Sequence, residues 1–113
     1  MCSRDDLNYI LDKVCEKAKA DFGSRLDSVT LYGSYARGDA AEGSDIDIMI
    51  LVDMPQGELT NFRCSWNSFG TEVDLNYNVL LSFKLQETAK FYAWKDIVPF
   101  YRNVYEEGVS TVA

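Results

Sequence analysis

A glycine-serine pair after one apolar segment, followed by two aspartates at the start of another, restricts the fold of this chain more than any other feature. Gly33 and Ser34 follow the apolar residues 29–32, and ten residues separate Ser34 from Asp45, which is two positions before Asp47. The pattern predicts a strand, a tight turn, a short helix near residue 35 and a second strand over residues 45–52. Because the second strand is apolar at every position after Asp47, we expect it to be covered on both faces.

Further elements are predicted on either side of this motif. Apolar residues recur at steps of three and four between Leu7 and Phe22, which indicates an amphipathic helix with Ser3 as its N-cap and Gly23 at its end. The rest of the chain is predicted to form a long helix over residues 59–77, a strand over 79–85, helices over 88–94 and 99–107, and an edge strand over 109–112. The expected fold class is α+β, a small mixed β-sheet flanked by helices, in one domain spanning residues 1–113.

The amino-acid composition excludes several kinds of site. The 113 residues include no histidine, which rules out Ser-His-Asp and Cys-His catalysis and histidine metal sites. Cys2, Cys15 and Cys64 are odd in number and lack C-x-x-C spacing, so we expect reduced thiols, with Cys15 and Cys64 used in packing. Carboxylates are therefore the remaining candidates for metal and proton chemistry.

The charge and hydropathy of the chain limit its partners and its location. A formal net charge of -7 repels a phosphate backbone, so no direct binding of nucleic acid is expected. The N-terminal residues are polar, and the longest wholly apolar run, residues 48–52, is too short to span a bilayer. We therefore expect a cytoplasmic protein without membrane contact.

The glycine-serine turn has the residues of a phosphate-binding loop. Gly33 allows the backbone to approach a ligand, the following helix start offers N–H groups, and Ser34 adds a hydroxyl that is also expected to cap a helix beginning near Tyr35. Arg37, one helical turn later, is placed to reach a phosphate oxygen. Taken alone, the same residues are more typical of a plain strand–helix connection with a serine cap, because such turns are common.

The two aspartates point to a metal site. Asp45 and Asp47 lie two positions apart on a predicted strand, so both face the same side and repel each other. A hard cation with oxygen ligands, such as magnesium, would offset that repulsion, whereas the alternative is a solvated strand end. The combination is more specific than either half, because a chance match to G-S-x10-D-x-D is expected on the order of once in a thousand chains of this length.

Residues 31–38 (LYGSYARG) and 44–47 (SDID) together resemble the minimal nucleotidyltransferases of the DNA polymerase β superfamily. Their spacing is similar to that of the nucleotidyltransferase antitoxins that are paired with HEPN-type ribonuclease toxins. The resemblance implies a polymerase β palm-like fold. It also implies transfer of a nucleoside monophosphate, most simply AMP from Mg-ATP, to a hydroxyl group. The hydroxyl would belong to a partner protein, and a HEPN-type toxin is the best candidate for that partner.

The resemblance also implies a role for each matching residue. Asp45 and Asp47 would be the catalytic residues and would bind magnesium, as two Mg²⁺ ions that bridge to the triphosphate of ATP or another NTP. Gly33 and Ser34 would hold the β- and γ-phosphates, with Arg37 in support. A hydroxyl would then attack the α-phosphorus, and pyrophosphate would leave.

One expected feature of active relatives is missing from the motif. Active members usually carry a third carboxylate on a later strand, but the predicted strand over residues 79–85 contains no acid. Asp74 is the nearest candidate, and its apolar neighbours place it on a helix. A catalytically weak or inactive module that binds a nucleotide or a partner is therefore the alternative interpretation.

Overall fold

Helices cover both faces of a mixed four-stranded sheet in the computed structural model, which describes residues 3–41, 43–77 and 79–112. The strands are β1 (Leu26–Tyr32), β2 (Ile46–Val52), β3 (Leu81–Glu87) and β4 (Val109–Val112), in the spatial order β3-β2-β1-β4. Strand β1 runs antiparallel to β2 and β4, whereas β2 and β3 are parallel. The helices are α1 (Arg4–Phe22), α2 (Ser34–Arg37), α3 (Gln56–Leu59), α4 (Arg63–Tyr77), α5 (Thr88–Trp94) and α6 (Pro99–Glu107).

Strand β2 lies between two separate hydrophobic clusters. Alternate side chains of a strand point to opposite faces, so its four residues Ile46, Ile48, Ile50 and Val52 face one cluster, together with residues of α1 and α4. Met49 and Leu51 face the other cluster, with Phe91 of α5 and Val104 of α6. All six of these β2 side chains are buried. The prediction of a strand covered on both faces, and with it the α+β fold class, is confirmed.

The first helix begins and ends as predicted. The Ser3 side chain accepts a hydrogen bond from the backbone N–H of Asp6 at 3.1 Å, which satisfies one of the free donors of the first turn. Gly23 ends the helix with its N–H bonded to the carbonyl of Lys19. Helix α1 then packs its buried face, Ile10, Val14, Ala18 and Phe22, against the sheet.

Element boundaries differ from the prediction at several places. Strand β1 begins at Leu26, three residues earlier than expected, and β2 begins at Ile46, so Asp45 directly precedes the strand. Strand β3 lies two residues later than predicted, because its pairing with β2 starts where the N–H of Ile46 donates to the carbonyl of Leu80. Such shifts depend on long-range pairing, which local propensity does not report.

The predicted long helix over residues 59–77 is interrupted. Helix α3 ends at Leu59, and a 3₁₀ turn over Thr60–Phe62 connects it to α4. The hydroxyl of Thr60 donates to the carbonyl of Gly57 at 2.7 Å, a local bond of the kind that competes with regular helix geometry. The apolar spacing nevertheless identified the packed face correctly, because Trp66 is buried and Phe62 and Phe69 pack against the same cluster.

The cysteines fulfil the packing expectation only in part. Cys15 of α1 is half-buried against the core and Cys64 of α4 is exposed, so the predicted packing role is wrong for Cys64. Neither forms a disulfide, and Cys2 lies outside the described residues. Within the described ranges, no helix is long and apolar enough to cross a bilayer.

Candidate functional site

Antiparallel pairing of β1 and β2 brings the glycine turn against the second aspartate. Tyr32, the last residue of β1, lies opposite Asp47, and Gly33 follows directly. Gly33 has a φ of 76°, and a Cβ at this position would lie 3.3 Å from Cγ of Asp47 and closer still to Oδ2. Glycine is therefore required here both for its backbone conformation and for its close approach to the carboxylate.

The charges around Asp47 act on its carboxyl group in opposite directions. Partial burial raises the pKa of this carboxyl, the charge of Asp45 raises it further, and the charge of Arg37 opposes both effects. Asp45 is exposed at the edge of the site, whereas Asp47 is half-buried. The structure thus brings the glycine turn, both aspartates and Arg37 into one small region.

Ser34 does not cap the short helix as predicted. Helix α2 begins at Ser34 itself, and its N-cap is Gly33, which has no side chain to bond the helix. The carbonyl of Gly33 accepts from the N–H groups of Ala36 and Arg37, both at 3.1 Å. Among the described residues, the Ser34 hydroxyl has no hydrogen-bond partner, so it is available to a ligand. Because α2 has only four residues, its dipole is small, and any phosphate contact depends on individual groups.

Arg37 is held by two acidic side chains at the surface. Its Nε lies 3.3 Å from Oδ2 of Asp39, and one terminal nitrogen lies 3.5 Å from Oε2 of Glu107, the last residue of α6. These contacts raise the pKa of Arg37, with Asp39 as the main cause. Its side chain is 45% exposed, and exposed ion pairs of this kind contribute little to stability. A phosphate could therefore replace either partner at small cost.

Asp74 does not join the other two aspartates. It lies on α4, as its apolar neighbours predicted, and its Oδ1 accepts a hydrogen bond from the N–H of Leu81 at 2.9 Å. On β3, the residue opposite Asp47 is Ser82, and the next residue on that face is Lys84. In the described part of the chain, no group of three acidic or cysteine side chains lies close enough together to hold a metal ion.

Two aromatic side chains border the site, although the sequence did not assign either of them to it. Burial raises the pKa of Tyr32, and the negative charge of Asp47 raises it further, to about 12. The ring of Tyr32 meets that of Phe100 edge-on, with centroids 5.7 Å apart. Tyr32 could have been found from its place beside Gly33, whereas Phe100 and Glu107 come from α6 and no local signal connects them to the turn.

The residues present fit a magnesium ion in part. Carboxylate oxygens are the hard ligands that magnesium prefers, and a cation beside Asp45 and Asp47 would remove the repulsion that raises the pKa of Asp47. Magnesium commonly uses one or two carboxylates together with phosphate oxygens and water. Two aspartates beside a phosphate-binding turn are thus a sufficient protein contribution to such a site.

The raised pKa of Asp47 predicts a stabilising substitution. Asp47→Asn should raise the free energy of unfolding at pH 7 without metal by up to about 1 kcal/mol, because it removes a charge that burial and Asp45 both disfavour. A carboxyl with a raised pKa favours folding at pH values below its ordinary pKa, and this contribution is lost as the pH rises. The gain should therefore shrink as the pH falls towards 4.

Urea unfolding in EDTA at pH 7 and pH 4 checks this expectation. Asp53→Asn is the matched control, since Asp53 is an exposed aspartate that follows the other end of β2. Magnesium should then stabilise the unsubstituted protein more than the Asp47→Asn variant. A variant that is less stable than the parent at pH 7 in EDTA would contradict the electrostatic account.

Comparison with known proteins places the whole arrangement in one family. Residues 7–108 match the nucleotidyltransferase domain family. A relative from Methanocaldococcus jannaschii, named as a candidate protein adenylyltransferase, is 36% identical over 90 residues, which cover 80% of this chain and 82% of the relative. A second candidate protein adenylyltransferase of that organism is 51% identical over 46 residues, which cover 41% of this chain and 31% of the relative. This chain therefore spans less than a third of that second relative.

A solved structure supports the fold independently of close sequence similarity. One chain of the crystallised toxin–antitoxin MntA-HpeT superposes on this structure with a TM-score of 0.50, at 16% identity, over 88% of this chain and 69% of that chain. The family match over residues 7–108 includes the turn, both aspartates and strands β1, β2 and β3, and it ends just before β4. The chain belongs to the nucleotidyltransferase domain family.

Proposed function

We propose that this protein transfers a nucleoside monophosphate, AMP from Mg-ATP, to a hydroxyl group of a partner protein. The observation that carries the proposal is the contact between the Gly33 turn and Asp47, with Asp45 close by. A ligand that bears both phosphates and a divalent cation can touch both halves of this site at once.

Each site residue has a role that its position supports. The backbone at Gly33 and the free hydroxyl of Ser34 would bind the β- and γ-phosphates, and Arg37 would exchange a weak surface ion pair for a phosphate oxygen. Asp45 and Asp47 would hold magnesium, as two ions. When bound, magnesium neutralises phosphate charge and favours an in-line displacement.

The protein's contribution to the reaction is mainly positioning. The acceptor oxygen attacks the α-phosphorus, the bond from that phosphorus to the bridging oxygen breaks, and pyrophosphate leaves while the acceptor gives up its proton. Asp47, at the start of a strand buried on both faces, is held more rigidly than a loop residue, and Gly33 fixes the phosphate turn beside it.

The acceptor is proposed from the relatives. Two M. jannaschii proteins similar to this chain are named for transfer of adenylyl groups to protein. The resemblance to antitoxins that are paired with HEPN-type toxins makes such a toxin, in the cytoplasm, the first partner to test. The protein would then act as the antitoxin of a toxin–antitoxin pair.

A specific observation supports a second candidate, a module that binds Mg-ATP or a partner without turnover. Asp74 is engaged with the N–H of Leu81, and Ser82 stands opposite Asp47 where a third carboxylate would complete the site. Without a third acid, deprotonation of the acceptor has no evident base among the described residues, and the reaction would be slow.

ATP labelled at one phosphorus at a time separates the two candidates. The purified protein is incubated with a candidate HEPN-type partner and magnesium, using ATP labelled at either the α- or the γ-phosphorus. We expect stable label on the partner from α-labelled ATP only, and none in EDTA. Label from γ-labelled ATP would indicate phosphoryl transfer instead, whereas tight Mg-ATP binding with no label on the partner would favour the binding module.

A further inference from the structure

The outer edge of β3 is open in the middle of the strand. Among the described residues, strand β3 is the last strand on its side of the sheet and pairs only with β2. In a parallel pair, alternate residues direct their N–H and C=O groups to the partner strand, and the carbonyl of Leu80 faces β2 by accepting from Ile46. Leu81, Phe83, Leu85 and Glu87 therefore direct their backbone groups away from β2.

Side chains from two other elements occupy both ends of this edge. At one end, Asp74 accepts from the N–H of Leu81 at 2.9 Å. At the other end, the Gln56 amide donates to the carbonyl of Leu85 and accepts from the N–H of Glu87, both at 2.9 Å. Between them, the N–H and C=O of Phe83 and the N–H of Leu85 have no hydrogen bond among the described residues.

Two cavities lie along this open segment, and Phe83 lines both of them. The first, of about 300 Å³, is also lined by Gln56, Arg63, Trp66 and Lys84. The second, of about 310 Å³, is lined by Asn67, Gly70, Thr71, Asp74 and Ser82, among others. Both cavities are lined by residues of α4 and share Asn67 and Phe83, so space for an added chain exists between α4 and the open backbone groups.

The first cavity presents unpaired donors and positive charge. Within the described ranges, neither Arg63 nor Lys84 lies within ion-pair distance of a carboxylate, although acidic residues outnumber basic ones by 18 to 11. The ammonium of Lys84 lies 5.8 Å from the centroid of the Phe100 ring, on the opposite face of the sheet from Phe83. The Trp66 side chain is 1% exposed, and its Nε1 donor has no acceptor. A buried donor without a partner is costly, so a ligand that supplies an acceptor gains from it.

We propose that the open edge of β3 binds an extended acidic peptide segment of a partner protein as an added strand. Phe83 and Leu85 would exchange main-chain hydrogen bonds with the segment, and its acidic side chains would lie near Lys84. Alternate residues of the segment would face Phe83 on one side of the sheet and Lys84 on the other. A second copy of this chain fits less well, because pairing two β3 edges would bring the same positive charges together.

A six-residue peptide of alternating valine and glutamate is the direct probe. It is added to the full chain without nucleotide, so the binding result does not depend on transfer activity. Fluorescence anisotropy measures its affinity, and NMR-detected hydrogen exchange locates it. Lys84→Glu should weaken binding about tenfold, whereas Lys90→Glu, on α5 away from this edge, should change it less than about twofold. Lys84→Gln, which removes the charge without reversing it, serves as the second variant if Lys84→Glu proves unstable.

Hydrogen exchange provides the decisive readout. At saturating peptide, the amides of Phe83 and Leu85 should exchange at least about tenfold more slowly, while those of Leu81 and Glu87, already bonded to side chains, should change little. The proposal is overturned if the peptide does not bind, if a valine-lysine peptide binds equally well, or if protection appears elsewhere. It is also overturned if inorganic phosphate displaces the peptide, or if Phe83 becomes protected without peptide as the chain dimerises.

Discussion

Asp47→Asn should lower the rate of AMP transfer at least about 100-fold, because the amide removes the charge that would hold the divalent cation against the triphosphate. Asp45→Asn should have an effect of the same order, since the two carboxylates share one site. The measurement is single-turnover transfer of label from α-labelled ATP to the partner. Circular dichroism should show that both variants remain folded, consistent with the greater stability expected for Asp47→Asn.

Two further aspartates provide the comparison for these losses. Asp53→Asn removes an exposed carboxylate beyond the other end of β2 and should leave transfer within about twofold. Asp74→Asn tests whether Asp74 takes part in transfer, because in this structure its side chain accepts a hydrogen bond from Leu81 instead of joining Asp45 and Asp47. A loss at Asp74 equal to that at Asp47 would mean that Asp74 enters the site when nucleotide binds. Full transfer by both Asp45→Asn and Asp47→Asn would refute the proposed mechanism.

The turn and the strand that form the site were predictable because their interactions are local. Gly33 directly follows β1 and Asp47 lies at the start of β2, which is the next strand in the chain and pairs with β1. The apolar pattern of β2 places the aspartates at its start. The burial of β2 on both faces likewise follows from its composition alone. The fold class required little more than these two strands and the periodicity of α1.

The parts that sequence reasoning missed depend on distant contacts. Glu107 pairs with Arg37 from 70 residues away, and Phe100 reaches Tyr32 only because α6 packs on the same sheet face. The start of β3 was misplaced because its register with β2, rather than its local apolarity, decides where the strand begins. Ser34 was assigned a capping role from its residue type, but the sharp turn at Gly33 places it inside the helix instead.

The turn should tolerate no side chain at Gly33. Gly33→Ala combines an unfavourable positive φ with a Cβ that collides with the Asp47 carboxylate, so we expect a loss of about 2–4 kcal/mol in unfolding free energy. Gly38 is the comparison, because its φ of 83° and ψ of 12° lie in the left-handed region and an added Cβ would meet no atom within 4 Å beyond its own chain neighbours. Gly33, with a φ of 76° and a ψ of -155°, lies in a region that is almost exclusive to glycine, so its backbone strain alone should exceed that at Gly38. Gly38→Ala should therefore cost only about 1–2 kcal/mol, the contribution of backbone strain alone.

A double-mutant cycle isolates the contact between the turn and the aspartate. Asp47→Ala removes Oδ2 and Cγ and leaves the Cβ at 3.5 Å, an ordinary contact distance, so Gly33→Ala made in that background should cost less than it does beside the carboxylate, with only its backbone strain remaining. Urea unfolding of the four proteins in EDTA measures the coupling. If Gly33→Ala costs the same with and without the Asp47 carboxylate, the turn does not approach the aspartate in solution. The phosphate-binding and metal-binding halves of the site would then be too far apart to hold one nucleotide.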